Sequence, residues 1–416
     1  MPKKIHKRWQ QIKTLILLRP VPHTIMSWRF LLPGQSNAVK LHRKVFLHAW
    51  PTLPRIGWAL IALYSTITWL CFFSWRQIYR SYRTHGKKLK EQFNISQTRQ
   101  VLDLLNMTFL HSIPPNNYYL YSLFNQPREK WLDYVYPFQL SQWHSAMSAK
   151  SSAESQHLLT SKHDFAHAME KAGLPAVRTI EFIKNGSAVK HEQIFTEHSL
   201  FLKPNTGNQR KGCFELHYLP EKIQYELHTP DIVTGKTNIL EFLNQRFKGE
   251  DYIVQPLLEN HPQIASLCHT NDLVTLRLVT GMIQTQPALI FALLEIPVTE
   301  KPGYVWHLPI NPQTGVINHG MNTLFQEKKR QLIEEGLEGK TIPLWEEMRH
   351  IVLTAHQNIQ DVPTIGWDIV CSSNGLKLLE GNTGWAIAPH QTWSSEPVLN
   401  GLLKQVYINY NQDNPV

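Results

Sequence analysis

A chain of 416 residues has room for two or three domains with substantial cores, and its charge is not shared evenly along it. Residues 1–100 hold 18 Lys and Arg against one acid, Glu91, a net of +17, while the remainder is −7, so the overall +10 belongs to one end. A localised positive field of this kind attracts anionic lipid or nucleic acid. The four cysteines, Cys71, Cys213, Cys268 and Cys371, lie far apart without a CxxC pair. That spacing argues against a zinc site or disulfide framework and fits a reducing compartment.

The first segment, KKIHKRWQQIKTLILL, mixes bases with Trp9, Ile12, Leu15 and Ile16 at helical spacing. It suits a basic amphipathic helix on a membrane, or equally a surface helix packed on its own domain. Ile56 to Trp75 is a run of 20 residues without charge, just long enough to cross a bilayer core of about 30 Å. Trp58, Trp69 and Trp75 resemble interfacial anchors, and Arg55 and Arg76 bracket the run. Gly57, Ser65, Thr66 and Thr68 temper its hydrophobicity, and both flanks are basic. Membrane insertion or in-plane anchoring therefore stands beside a buried core helix. The run begins too late for a signal peptide and lacks a small-residue cleavage site. Arg76 to Lys90 is again basic, either a solvated helix face or a lipid-facing collar.

Residues 97 to 150 read as mainly helical with a break at Ile113-Pro114-Pro115-Asn116. Tyr118, Tyr119, Tyr121, Phe124, Trp131, Tyr134, Tyr136 and Phe138 give this region a high aromatic density. Packing between domains is the commoner use of such residues than stacking on bases or sugars. No helix-turn-helix, RNP or zinc-finger pattern accompanies them, so nucleic acid is not an expected partner. The small polar stretch Lys150 to Ser155 marks a boundary.

From Leu159 the sequence runs LTSKHDFAHAMEKAGLPAVRTIEF. Ser161 is expected to cap a helix with apolar positions Phe165, Ala168 and Met169, ended by Gly173, with Pro175 opening a strand. Lys162 falls in the first turn, where the dipole disfavours a cation; it is an exposed lysine, or it points at a phosphate. In SLFLKPNTGNQRKGCFEL, Phe201 and Leu202 lead a strand into Lys203 and Pro204. The following loop carries Gly207, Arg210, Lys211 and Gly212, which suits a phosphate-binding loop or a surface hairpin. A strand from Tyr252 to Val254 then runs into Gln255-Pro256-Leu257-Leu258. An edge here with free main-chain groups would hold an adenine ring, with Glu259 placed for a ribose.

PALIFALLEIPV reads as a buried strand, and WHLPINPQTGVIN as a hairpin turning at Gln313-Thr314-Gly315. His307, Asn311 and His319 near it either line an acceptor pocket or are polar loop residues. Residues 323 to 360 are expected to hold a charged helical stretch and a second helix from Pro343 to Gln360. GWDIVCSSNGLKLLEGN, residues 366–382, reads as an antiparallel hairpin turning at Ser373-Asn374-Gly375. Glu380 and Asn382 are two apart and share a face, and folding the hairpin brings Asp368 opposite them. Three oxygen ligands on one face suit Mg²⁺; the alternative is a solvated polar face, but the strands are otherwise apolar. Trp385, His390 and Gln391 follow closely enough to touch a substrate.

The order of these parts, SKxxF, a lysine before a Gly-bearing loop, VQPLLENHPQIASL, LVTLRLVT, GWDIV and LLEGN, resembles an ATP-grasp enzyme. The closest resemblance is to the sugar-transfer-associated group related to alpha-L-glutamate ligases, over about residues 155 to 395. It implies that Lys162 and Lys203 contact ATP phosphates, Gly207 to Gly212 form the lid, and Gln255 to Leu257 form the adenine hinge. It further implies Mg²⁺ on Asp368, Glu380 and Asn382, and Arg277 stabilising the transferred phosphoryl group. The lid TGNQRKG has fewer glycines than is usual, and Gln255 stands where many ATP-grasp enzymes carry an acid, although glutamine suits this group.

The expected fold is α+β: an ATP-grasp domain at 156–400, with lid (156–255) and metal (256–400) subdomains gripping ATP. It would follow a basic helical region (1–100) and a helical linking region (101–155), with a tail at 401–416. The expected activity is an ATP- and Mg²⁺-dependent carboxylate–amine ligation through an acylphosphate, on a small-molecule, saccharide or peptide carboxylate. Such a ligase would sit in the cytoplasm, free or attached to the inner face of the membrane by the basic N-terminus. A non-catalytic ATP-binding assembly protein and a phosphotransferase acting on a hydroxyl are the alternatives.

Overall fold

Among the described residues every named element before Glu181 is helical, and strands begin only there. The structure, a computed structural model, describes residues 27–48, 55–187, 189–207, 211–229, 232–298, 304–318, 336–394 and 396–412. The expected amphipathic helix before residue 27, lid residues 208–210, His319 and the charged stretch at 323–335 lie outside these, as do the side chains of Arg55, Trp58 and Ser65. The described residues fall into two units, one within 27–149 and 386–412, the other within 150–318 and 336–385.

The first unit is helical. Helix α1 spans Asn37–His48 and α2 Arg55–Thr68; a π turn, Trp69–Phe73, leads directly into α3, Ser74–Phe93. Asn94 ends α3 with φ of 55° and donates its amide to the Lys90 carbonyl. Ser96 then caps α4, Gln97–His111, by accepting the Arg99 amide. Val39, Ile78, Leu89, Leu104 and the buried apolar residues between Ile113 and Tyr136, such as Tyr118, Phe124 and Trp131, share one hydrophobic core. Packing therefore runs straight through residue 100, where a boundary was expected. The dense aromatics fill that core: Tyr118, Tyr119, Tyr121, Trp131, Tyr134 and Tyr136 are fully buried. Tyr118 donates its hydroxyl to Asp103, which Arg128 neutralises at 2.6 Å. The end of the chain joins this unit too. Gln391 brackets the Val135 backbone with both amide groups, and Tyr407 packs edge-on against Trp143.

The second unit holds two antiparallel sheets and so is α+β. Strands β1 (Glu181–Ile183), β2 (Leu200–Pro204), β3 (Phe214–Leu219), β4 (Gln224–His228), β5 (Val233–Thr234) and β6 (Tyr252–Pro256) form one sheet in the order β1-β6-β2-β3-β4-β5. Strands β7 (Thr275–Ile283), β8 (Gln286–Pro297), β9 (Val305–Ile310), β10 (Thr364–Ser372) and β11 (Gly375–Asn382) form the other, ordered β11-β10-β7-β8-β9. Helix α5 (Lys162–Lys171) adjoins β11, α6 (Lys236–Arg246) covers β4 and β5, and α7 (Trp345–Gln357) lies on β7, β8 and β10. The segment after α5 does not open a regular strand at Pro175. It bridges β11 instead, with Leu378 donating to the Pro175 carbonyl and Val177 donating to that of Leu378.

A buried polar chain pins α7 to the second sheet. His356 is fully buried, and burial holds its imidazole neutral with a pKa of about 4. A neutral ring donates from one nitrogen only. Nε2 faces the Val362 carbonyl at 2.9 Å and must donate, so Nδ1 accepts the Thr280 hydroxyl at 2.6 Å. That frees a Thr280 lone pair for the Trp367 indole N–H at 2.7 Å. In the unfolded chain this histidine takes up a proton near pH 6.5, whereas the folded form resists until about 4. Stability is thus expected to fall as pH drops through this window, by up to about 3 kcal/mol from this group. Urea unfolding at a series of pH values measures the slope. His356→Gln should be less stable at neutral pH yet lose its share of the slope, while His42 and His111, also held near 4 by burial, keep theirs.

Candidate active site

The β10–β11 hairpin turns at Ser373 and Asn374, and Gly375 adopts φ of 88°, a conformation that costs glycine little. Its register places Asp368 opposite Glu380 and Gly366 opposite Asn382, so the three expected metal ligands share one face. Asn382 donates its amide to Glu380 Oε1 at 2.9 Å. On the other flank of β10, Arg277 of β7 lies opposite Asp368 and grips both carboxylate oxygens, Nη2 to Oδ2 at 3.0 Å and Nε to Oδ1 at 2.5 Å. The row continues outward. Glu295 of β8 lies 4.0 Å from the Arg277 Nε, and His307 of β9 lies 3.5 Å from Glu295. Each of the five strands thus gives one ionisable side chain to a single row: Glu380, Asp368, Arg277, Glu295, His307. Gly366 makes room beside it, since a Cβ there would sit 2.6 Å from that of Trp385.

The two lysines reach this row from the other elements of the unit. Ser161 caps α5 as its sequence promises, accepting the Asp164 amide. Lys162 opens the helix, donates its ammonium to the Gly207 carbonyl at 2.7 Å, and lies 3.9 Å from Glu380 Oε2. Lys203, near the end of β2, is buried. Asn205 fixes the distance between them. Its carbonyl accepts the Lys162 amide, its Oδ1 accepts the His163 amide, its Nδ2 donates to Ser161, and its own amide donates to Asp251. One buried asparagine thereby ties the start of α5 to the end of β2. It reads as an ordinary loop residue in the sequence, and the helix-cap serine three residues before Asp164 is the only nearby signal.

Electrostatics sort these groups into roles. Burial pulls the Lys203 ammonium down to a pKa of about 8, opposed by Glu380 and reinforced by Lys162. Burial raises Asp368 well above the carboxylate range, with Glu380 adding to the rise against the pull of Arg277. Burial also opposes ionisation of Glu380, but Asn382, Lys162 and Lys203 outweigh it and hold the carboxylate low. Glu295 is likewise held low against its burial by His307 and Arg277. A buried Oδ1 of Asp368 without an aligned hydrogen bond lies beside a charged Glu380. That is a donor set which a divalent cation relieves, since it lets both carboxylates ionise. Oxygen donors throughout suit Mg²⁺.

Other expected site residues fall out differently. The hinge strand β6 is not an edge but lies between β1 and β2. The Leu257 amide is taken by the Ser199 carbonyl, and Gln255 donates its side chain to the Val177 carbonyl at 2.9 Å. Main-chain donors at Gln255–Leu257 are therefore not all free, while Glu259 is exposed and its carbonyl holds the Ser373 amide. At the described lid ends, Gly207 has φ of 114° and Gly212 has φ of 75°, packed against Tyr252. Asn311 closes its own turn by accepting the Gln313 amide. Trp385, His390 and Gln391 are buried, with Trp385 donating to Thr364 at 3.2 Å and Gln391 donating to the Val135 carbonyl at 2.6 Å. Two Glu-Leu-His triplets, 215–217 and 226–228, pair across β3 and β4, and each imidazole faces a carboxylate of its own strand. Glu215, His217 and His228 bring ligand atoms within 4.8 Å of one another; the repeated triplet was their signal in the sequence.

Residues 147–407 match the family described as sugar-transfer associated ATP-grasp. Among solved structures the chain is similar to the ATP-grasp ligase PsnB complexed with minimal precursor, at 14% identity and a TM-score of 0.37 over 69% of this chain and 70% of that one. It is similar to D-cycloserine synthetase at 11% and 0.39, over 65% and 79%. It is similar to D-alanine–D-alanine ligase from Bacillus anthracis complexed with ATP at 10% and 0.39, over 64% and 71%. These TM-scores mark loose likenesses on which nothing further rests, and no curated protein matches. The family match spans more than half of the chain and covers both sheets described above. The chain belongs to the sugar-transfer-associated ATP-grasp family.

Proposed function

We propose that the chain is an ATP-dependent carboxylate–amine ligase working through an acylphosphate, on a saccharide, peptide or other small-molecule carboxylate. One observation carries this reading: Lys162, Lys203 and Arg277 converge with Asp368, Glu380 and Asn382, all within one unit. Phosphoryl transfer asks little covalent help of a protein and depends on positioned charge. Lys162 and Lys203 would hold the ATP phosphates, and Asp368, Glu380 and Asn382 would hold Mg²⁺, which screens phosphate charge when bound. Arg277, kept cationic by Asp368 and Glu295, would stabilise the phosphoryl group as the substrate carboxylate attacks it. The amine then displaces phosphate from the acylphosphate and gives an amide. Glu295 and His307 extend the polar row away from the metal ligands and would line the acceptor site. The loop rooted at Gly207 and Gly212 would cover the site and keep water from the acylphosphate.

The test is phosphate release from ATP in the presence of pooled amino acids and sugar acids. Release is expected to require both a carboxylate and an amine, and the product mass should be that of an amide. Lys203→Ala and Asp368→Ala should each lower the rate by about 10²–10³-fold. A phosphate-ester product would identify a phosphotransferase, and Mg-ATP binding without amine-dependent turnover would identify an assembly protein. A chain that does not bind Mg-ATP, or binds it unchanged after Lys203→Ala, would sink the nucleotide site itself.

Lys203 also gives a pH signature. Its buried ammonium titrates near 8, and a triphosphate favours the charged form. Mg-ATP affinity should therefore fall as pH rises past about 8, and binding in that range should take up a proton. Calorimetry in buffers of different ionisation enthalpy measures the uptake, and Lys203→Arg, charged throughout, should abolish it.

A further inference from the structure

In the first unit, α2, the π turn and α3 make one continuous helical run from Arg55 to Phe93. None of the described side chains from Ile56 to Thr68 is buried. Ile56, Leu60, Leu63 and Ile67 recur at spacings of four, three and four, so they form a stripe along α2. With Phe72 and Trp75 beyond it, these six side chains are 49–78% exposed. A contiguous apolar surface of this kind marks a binding face and not ordinary surface scatter. It continues onto α4 through the contact of Trp75 with Phe109, their ring centroids 4.9 Å apart. There Trp75, Leu102, Leu105 and Phe109 line an open cavity of about 480 Å³ with Arg128 at its rim.

The second half of the run carries the opposite chemistry. Ile78, Ser81 and Leu89 of α3 are buried toward the core. Arg76, Arg80, Arg83, Lys87 and Lys90 are exposed, at spacings of four, three, four and three. At 100° per residue this places all five on the side opposite the buried residues, over about 21 Å. Glu91, 3.8 Å from Lys87, is the one acid within the first hundred residues. No described helix is long and apolar enough to cross a membrane. An apolar helix that continues into a basic stripe, with Trp and Tyr at the junction, has the composition of an element lying in a bilayer interface.

We propose that α2 and α3 dock on an anionic membrane surface, the exposed apolar stripe of α2 with Phe72 and Trp75 entering the acyl boundary and the five bases of α3 meeting acidic headgroups. The charge decides for lipid over a second copy of this chain, because two such basic stripes would repel each other. This inference is independent of the ligase reading.

The test sediments the full chain with vesicles of phosphatidylcholine alone and of phosphatidylcholine mixed with phosphatidylglycerol. Binding to the mixed vesicles is expected, weakening with added salt. Arg76→Gln, Arg80→Gln and Arg83→Gln together should weaken it about a hundredfold. Leu60→Glu with Leu63→Glu should remove binding to the mixed vesicles. All these positions face solvent, so unchanged circular dichroism and unchanged thermal melting check that both variants remain folded. The proposal fails if the folded chain stays in the supernatant with acidic vesicles, or if either variant binds as well as the parent. It fails equally if Leu60→Glu with Leu63→Glu turns a stable dimer into a monomer while lipid binding is absent, for then a second copy is the occupant.

Discussion

Charge compensation on a largely buried sheet face is what the second unit depends on. A buried charge without a partner costs several kcal/mol, yet this face holds Asp368, Arg277 and Glu295 on adjacent or nearby strands. Arg277 is held there by a carboxyl on each side, Glu295 kept ionised and Asp368 gripped even though burial raises it well above the carboxylate range. The register of β7, β8 and β10 is therefore tied to the charge pattern, since slipping any strand by one residue would turn a charge onto the opposite face. In the reaction proposed above, charges already fixed in place would need little reorganisation to meet a phosphate.

The β10–β11 hairpin was legible because its logic is local. A turn, a period of two and three oxygen side chains suffice to place Asp368, Glu380 and Asn382 together, and the short helix cap at Ser161 is local in the same way. What stayed hidden is long-range. The strand order β1-β6-β2 sets the last strand of the sheet between the first two, and nothing near Gln255 in the sequence betrays that. Glu295 lies inside PALIFALLEIPV, which reads only as a buried strand, and its nearness to Arg277 depends on a bulge between Val279 and Thr280 that resets the β7–β8 register. Asn205 was invisible for the opposite reason, since a polar residue after Pro204 looks like any turn.

The helical unit shows the same division. Aromatic density between residues 118 and 138 signals packing, but the rings fill the core of one unit and do not pack between domains as expected. Large amphipathic rings with a polar tip are stable inside a core where hydroxyls find partners. That the core would draw on residues both before 100 and after 386 could not be seen, because those contacts join distant parts of the chain whose separation says nothing about their packing.

The π turn at Trp69–Phe73 has a geometric meaning of its own. Such a turn accommodates one residue more than an α turn, so it acts as a phase shifter between the helical segments on either side. Removing one residue between Trp69 and Phe73 would let the run become regular α-helix and rotate everything before it by about 100° about the axis. The angular offset between the greasy half and the cationic half is thus stored in a single extra residue, and insertions or deletions there would retune it without touching either half's composition.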